Sequence, residues 1–303
     1  MAYLHDTASD HLDLFQRIRT FVKTGLGSGN WTELRYDAVN VRALFEAPGL
    51  SGDQSINIGM WAEQDAGADV YAIGFFMFKA YVAGLDDLSQ PGTSIQVWHC
   101  LWDDDMPFWC VANGQRLILA TKVSTVYSSS HVGKLLPGGT PGEYPQPYYL
   151  AANALSFETR WSNPSPEVRC FFDPGQAARR LRPDGGWWTV QNVRDNGGGS
   201  IGFPSGLNYV WPYAAVQDGS GTAVISRLHE MRENLDGSYP LHPLIVHGQQ
   251  PAYETMGEID GAYHVPGTAN ASEDTITIDG QVYLVLQDMS RTDRFNYCAL
   301  KLL

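Results

Sequence analysis

The chain has 303 residues, 20 Lys and Arg against 33 Asp and Glu, and a formal net charge of −13. That sign argues against a nucleic-acid binder that works by neutralising phosphates. An aromatic content of 12% with only 17% charged residues excludes an intrinsically disordered chain, and 31 glycines with 17 prolines exclude a long coiled coil.

The length allows a large core, in one big domain or two smaller ones. No apolar run approaches the roughly 20 residues that cross a bilayer, so no membrane insertion is expected. The opening residues, Met1 to Asp6, lack a basic stretch followed by an apolar one, so assembly in a cytoplasm is expected. Asn30-Trp31-Thr32 and Asn270-Ala271-Ser272 match the glycosylation pattern, which carries no weight in that compartment.

The first predicted element is a helix, with Thr7 and Asp10, or Ser9 alone, supplying its N-cap. Leu14, Phe15, Ile18, Phe21 and Val22 recur at helical spacing, and Gly25, Gly27 and Gly29 stop it. Its apolar stripe has two uses: packing on the chain's own sheet, or docking on a neighbouring subunit.

Alternating strands follow at Trp31–Tyr36, Val41–Phe45 and Ser55–Met60, with turns at Pro48-Gly49 and Ser51-Gly52-Asp53. Val70 to Val82 reads as one long strand or a bent pair. Phe108–Ala112, Asn113-Gly114 and Gln115–Val126 form the clearest hairpin, since Asn-Gly suits the positive φ of a type I′ turn. Leu135 to Leu150, rich in Pro and Gly, predicts an ordered covering loop, and Ser162–Pro166 is the best linker candidate. Cys170 to Trp211 reads as mostly irregular, with one strand at Trp187–Val193 and a glycine-rich tip at Asp195–Gly199. Thr222 to Asn234 reads as a strand or a short helix. A second hairpin, Thr275–Ile278 and Gln281–Leu286 around Asp279-Gly280, precedes a final strand at Tyr297–Leu302. No internal repeat is present.

The motifs that suggest chemistry lack the context it requires. Gly198–Gly202 spells G-x-S-x-G, and Gly197, Gly199 and Gly202 spell G-x-G-x-x-G, but Phe203-Pro204-Ser205-Gly206 cannot begin the helix either motif needs. Asp103-Asp104-Asp105, with His99 and Cys100 upstream, lacks the spacing of a calcium loop and reads as a solvated turn. Glu258 and Asp260 share a strand face near His264, whereas a glycosidase draws its two carboxylates from facing elements. Trp187-Trp188, Tyr144, Tyr148-Tyr149, Tyr209, Trp211 and Tyr213 offer faces for sugar stacking, but their spread along the chain favours core or interface burial. Cys100, Cys110, Cys170 and Cys298 form no C-x-x-C pair and are expected to be reduced and buried.

Several stretches carry a likeness. They are Pro107-Phe108-Trp109-Cys110-Val111-Ala112-Asn113-Gly114-Gln115-Arg116, Lys122–Tyr127, Leu136–Pro145, Leu34–Asp37, Phe45–Leu50, Asp236–Pro240, Gly257–Gly261 and Leu284–Leu300. In these the chain resembles a family of structural proteins from the virions of tailed bacteriophages, over most of its length and more weakly from Trp161 to Trp211. The resemblance implies assembly rather than catalysis, and no family active site to carry over. It also raises disulfides between subunits, formed after lysis, as a use for the cysteines.

The expected fold is mainly β. An N-terminal amphipathic helix leads into β-sandwich-like lobes with long ordered loops, one lobe over residues 1–160 and a second over 161–303. The expected function is a structural component of the tail baseplate or tail tip, with a neck or collar protein and a glycan-binding receptor module as alternatives. No catalytic residue, cofactor or metal is expected. Partners are other tail or neck proteins and further copies of the chain in a symmetric assembly, in the virion. Candidate interface residues are Leu14, Phe15, Ile18, Phe21, Pro137, Tyr144, Tyr148 and Tyr149.

Overall fold

A computed structural model describes residues 2–138, 146–165, 167–192, 209–213, 215–217, 223–225, 238–249, 253–293 and 296–302. The protein is mainly β, with 49% of the described residues in strands and 8% helical. Strand β1 (Ala2–Ala8) leads into helix α1 (His11–Thr24). The Asp10 carboxylate caps the helix by accepting the Asp13 N–H at 2.7 Å, in place of Ser9. Gly25 ends it, its N–H bonded to the Phe21 carbonyl.

A five-stranded antiparallel sheet follows in chain order: β2 (Thr32–Asp37), β3 (Arg42–Ala47), β4 (Ile56–Asp65), β5 (Val70–Phe78) and β6 (Val97–Leu101). Next come β7 (Met106–Ala112), β8 (Arg116–Val123), β9 (Val126–Lys134), β10 (Leu136–Pro137), β11 (Tyr148–Ala151), β12 (Ala178–Leu181) and β13 (Trp187–Thr189). With β1, and without β10, these form a seven-stranded sheet in the order β1-β7-β8-β9-β11-β12-β13. The remaining strands are β14 (Tyr209–Trp211), β15 (Ala215–Gln217), β16 (Ala223–Ile225), β17 (His242–Gln249), β18 (Tyr253–His264), β19 (Thr275–Ile278), β20 (Gln281–Gln287) and β21 (Tyr297–Lys301). A third sheet runs β14-β17-β18-β21-β20-β19, with β10 on β18, and β15 and β16 form a ribbon. The glycine-rich motifs at 197–202 and the tip at 195–199 lie outside the described residues, as does most of Thr222 to Asn234.

The seven-stranded sheet is the middle layer. Along β7, Phe108, Cys110 and Ala112 join a core with α1 and the five-stranded sheet, while Trp109 and Val111 join a second core with the third sheet. Period-two alternation divides the strand between the two cores, so β7 is apolar at nearly every position. In the first core, Leu14, Phe15, Ile18 and Val22 of α1 pack with Phe45, Ile58 and Phe75. Each buried side chain contributes about 1.5–3 kcal/mol relative to exposure.

Residues 160 and 161 do not separate two sheets, because β11 and β12, from either side of that boundary, are hydrogen-bonded neighbours. A buried ionic cluster also ties the stretch after the expected linker to the chain's end. Arg169 lies 3.0 Å from both Asp173 and Asp288, and the Cys170 N–H donates to Asp288 at 2.7 Å.

Several strand limits differ from those expected: β4 runs on to Asp65, and β13 stops at Thr189 rather than Val193. The apolar run from Val70 stops being strand at Phe78, and the run to Val126 is broken after Val123, where Ser124 turns the chain at φ 57°.

Candidate interaction surfaces

Residues 79–96, between β5 and β6, form a fixed loop. Its base continues the ladder: the Lys79 N–H donates to the Pro91 carbonyl at 2.8 Å, and the Ser94 N–H to the Met77 carbonyl at 2.8 Å. Gln90 is buried at its centre. The Gln90 Oε1 accepts the Val82 N–H at 2.7 Å, and its Nε2 faces the Val82, Leu85 and Asp86 carbonyls at 3.2, 3.2 and 3.3 Å. Arg35 of β2 donates to the Leu85 carbonyl at 2.7 Å and pairs with the carboxylate of buried Asp87. Trp187 of β13 donates its indole N–H to the Gly92 carbonyl at 2.8 Å.

Asp87, Gln90 and Ser94 of the loop are therefore turned inward, and four of its apolar side chains are turned out, beside the exposed Asp86 and Ser89. Val82, Leu85, Leu88 and Ile95 are 42%, 39%, 39% and 46% exposed. Apolar side chains held out on a fixed loop suit a partner surface, since little conformational freedom is lost when they are covered. Sequence reading missed this surface because the apolar run through Val82 reads as strand; Gly84 and Pro91-Gly92 are the signals that mark the loop.

The residues first expected at interfaces fare differently. Leu14, Phe15 and Ile18 are buried in the chain's own core, and Phe21 is half-buried against it. Of the two uses open to the helix stripe, packing on the chain's own sheets is the one realised. Tyr148 and Tyr149 are buried, since β11 lies inside the middle sheet; the Tyr149 hydroxyl donates to the Phe171 carbonyl at 2.7 Å. Pro137 is exposed on β10, and Tyr144 lies outside the described residues.

Three of the described aromatics offered for sugar stacking lie inside the fold, and a fourth is covered by a guanidinium. Tyr148, Tyr149 and Tyr213 are buried, and the Arg182 guanidinium sits 4.2 Å from the ring centre of Trp188. Glu258 and Asp260 are half-buried neighbours on β18. Asp260 accepts from the Asn113 side chain at 2.7 Å and lies 3.4 Å from Nε of buried Arg116, so it serves the β7–β8 turn. Burial and then Asp260 raise the Glu258 carboxyl above its ordinary range. His264 is buried against the Tyr213 ring.

Asp103 lies 3.6 Å from the buried His11 ring, and no group of three or more His, Cys, Asp or Glu side chains among the described residues is placed to hold a metal ion. All four cysteines are free and buried, so none offers a surface thiol for a disulfide between subunits; burial pushes the Cys100 thiol up to about 12. No family model matches the chain, and no curated protein matches it.

Proposed function

We propose that the chain is a structural component of a tailed-phage virion, placed in the tail baseplate or tail-tip region and acting through subunit interfaces rather than catalysis. The observation that carries the reading is the fixed 79–96 loop with Val82, Leu85, Leu88 and Ile95 turned outward. The sequence likeness to virion structural proteins, the low charge density and the high aromatic content support it. In this reading the stacked sheets act as sandwich-like lobes, and the partners are neighbouring tail proteins and further copies of the chain, without direct nucleic-acid contact, cofactor or membrane insertion.

Immunogold electron microscopy of intact particles, with an antibody against the chain, tests the placement. Label at the distal end of the tail is expected. Label at the head–tail junction would make the chain a neck or collar protein, and no label on intact or dissociated particles would overturn the virion reading. The variant Leu85→Asp with Leu88→Asp keeps the buried Gln90 and Asp87 and is expected to fold but to be left out of particles. Its normal incorporation would remove the loop from the interface.

A further inference from the structure

β1 is an edge strand with a free side. Its seven residues pair with β7 in unbroken register, from Ala2↔Ala112 to Ala8↔Met106, and no strand lies on its outer side among the described residues. It is the longest edge strand of the three sheets, against six residues in β2, five in β6, four in β19 and three each in β13 and β14. It contains neither Lys nor Pro, the usual guards of a sheet edge.

The outward groups can be assigned. The Asn113 N–H donates to the Arg116 carbonyl at 3.1 Å, so the backbone of Asn113 faces β8. By alternation, Trp109 and Val111 also face β8, and Met106, Phe108, Cys110 and Ala112 face β1. Their register partners Ala2, Leu4, Asp6 and Ala8 therefore bond to β7, and Tyr3, His5 and Thr7 direct N–H and C=O outward. The Thr7 N–H is already taken, since it donates to the Asp6 carboxylate at 2.8 Å. Among the described residues, nothing takes up the outward groups of Tyr3 and His5.

We propose that this edge pairs with β1 of a second copy of the chain, antiparallel and about a two-fold axis at Leu4. Only that register engages both open residues with each other, Tyr3 with His5′ and His5 with Tyr3′, in four backbone hydrogen bonds. It sets Leu4 against Leu4′ and Asp6 against Ala2′, so no charge meets a like charge. A two-fold axis at His5 would require the occupied Thr7 N–H and would set His5 on His5′. The pairing joins two seven-stranded sheets into one sheet across the axis, and it covers Tyr3, which is 39% exposed. The identity of the partner rests on the symmetric self-assembly in the functional reading above; the strand geometry does not.

The test uses the full chain with single added cysteines, against a clean background because the four native thiols are buried. In the proposed register Leu4 and Leu4′ form a non-hydrogen-bonded pair with Cα atoms about 4.5 Å apart, within disulfide reach. Under mild oxidation L4C is expected to move on a non-reducing gel from 33.5 kDa to twice that mass. T7C, exposed on the same strand but not opposite itself, is expected to stay at monomer mass. Sedimentation velocity of the unmodified chain is expected to show an even-numbered oligomer, reduced to half its mass in Y3P, which removes an outward N–H and leaves the β7 ladder intact. A monomeric unmodified chain, an oligomer in which L4C does not cross-link, or equal cross-linking of L4C and T7C would each overturn the pairing. None of these results bears on where immunogold label falls on the particle, so the two readings fail separately.

Discussion

Two turns with nearly the same sequence behave differently in this molecule. Asp279-Gly280 joins β19 to β20 with φ of 50° and 76°, the left-handed pair that a two-residue type I′ turn requires. Asn113-Gly114, between β7 and β8, has neither residue at positive φ. There the Asn113 side chain accepts the N–H groups of Gln115 and Arg116 at 2.9 and 3.2 Å, and its amide donates to Asp260. The Gly49 N–H donates to the Gly114 carbonyl at 2.6 Å, and the Trp31 indole N–H to the Asn113 carbonyl at 2.9 Å. The first turn stands in open space and follows its dipeptide; the second is held by three distant parts of the chain and departs from it. A local signal decides a turn only where nothing else touches it.

Acid should separate the two regions most strongly. The strands flanking the buried turn contact two buried imidazoles. His99 bonds Thr121 of β8 and Ser130 of β9 at 2.8 and 2.7 Å, one ring nitrogen donating and the other accepting, and His131 lies on β9 itself. Burial lowers each to about 3 from the ordinary 6.5. The unfolded chain then binds more protons between pH 6.5 and 3, so this contribution is fully present above 6.5 and is lost as pH falls through that window. From pH 7 to 5 the two groups together are expected to remove about 4 kcal/mol, measured by denaturant unfolding. His131→Gln should flatten the slope, and an unchanged slope would show that the imidazole takes up its proton at the same pH in the folded and the unfolded chain. The β19–β20 hairpin contains no histidine and adds nothing to this term.

Substitution of the two glycines sharpens the contrast. A Cβ on Gly114 would lie 2.4 Å from the Gly49 carbonyl oxygen, so Gly114→Ala forces backbone apart and is expected to cost about 2–3 kcal/mol. Gly280→Ala meets nothing within 4 Å and suffers only its positive φ, for an expected cost of about 1 kcal/mol. Thermal unfolding of both variants checks the order. Equal losses would mean that the approach of Gly49 yields easily and that both turns are governed by φ alone.

The same division runs through the rest of the molecule. The helix was legible because Leu14, Phe15, Ile18 and Val22 repeat at its own period, and many strands were legible by alternation. The end of β5 was not, since Ala80, Tyr81 and Val82 are as apolar as the strand before them. What turns the chain there is the Gln90 amide and the Arg35–Asp87 pair, contacts made across the fold. Tyr148 and Tyr149 sit beside a Pro- and Gly-rich stretch that reads as surface, yet β9 and β12 flank their strand and bury them.

By itself, then, the sequence determined the β-rich class, the helix with its apolar stripe, and the Asp279-Gly280 turn, because each depends on residues within a few positions of one another. Tertiary structure decided that the stripe packs inward, that the middle sheet takes strands from both halves of the chain, and that an edge at β1 and a loop at 79–96 face outward. Those outcomes depend on which sheets stack on which faces, and apolar patterning marks that a face is buried without naming what covers it.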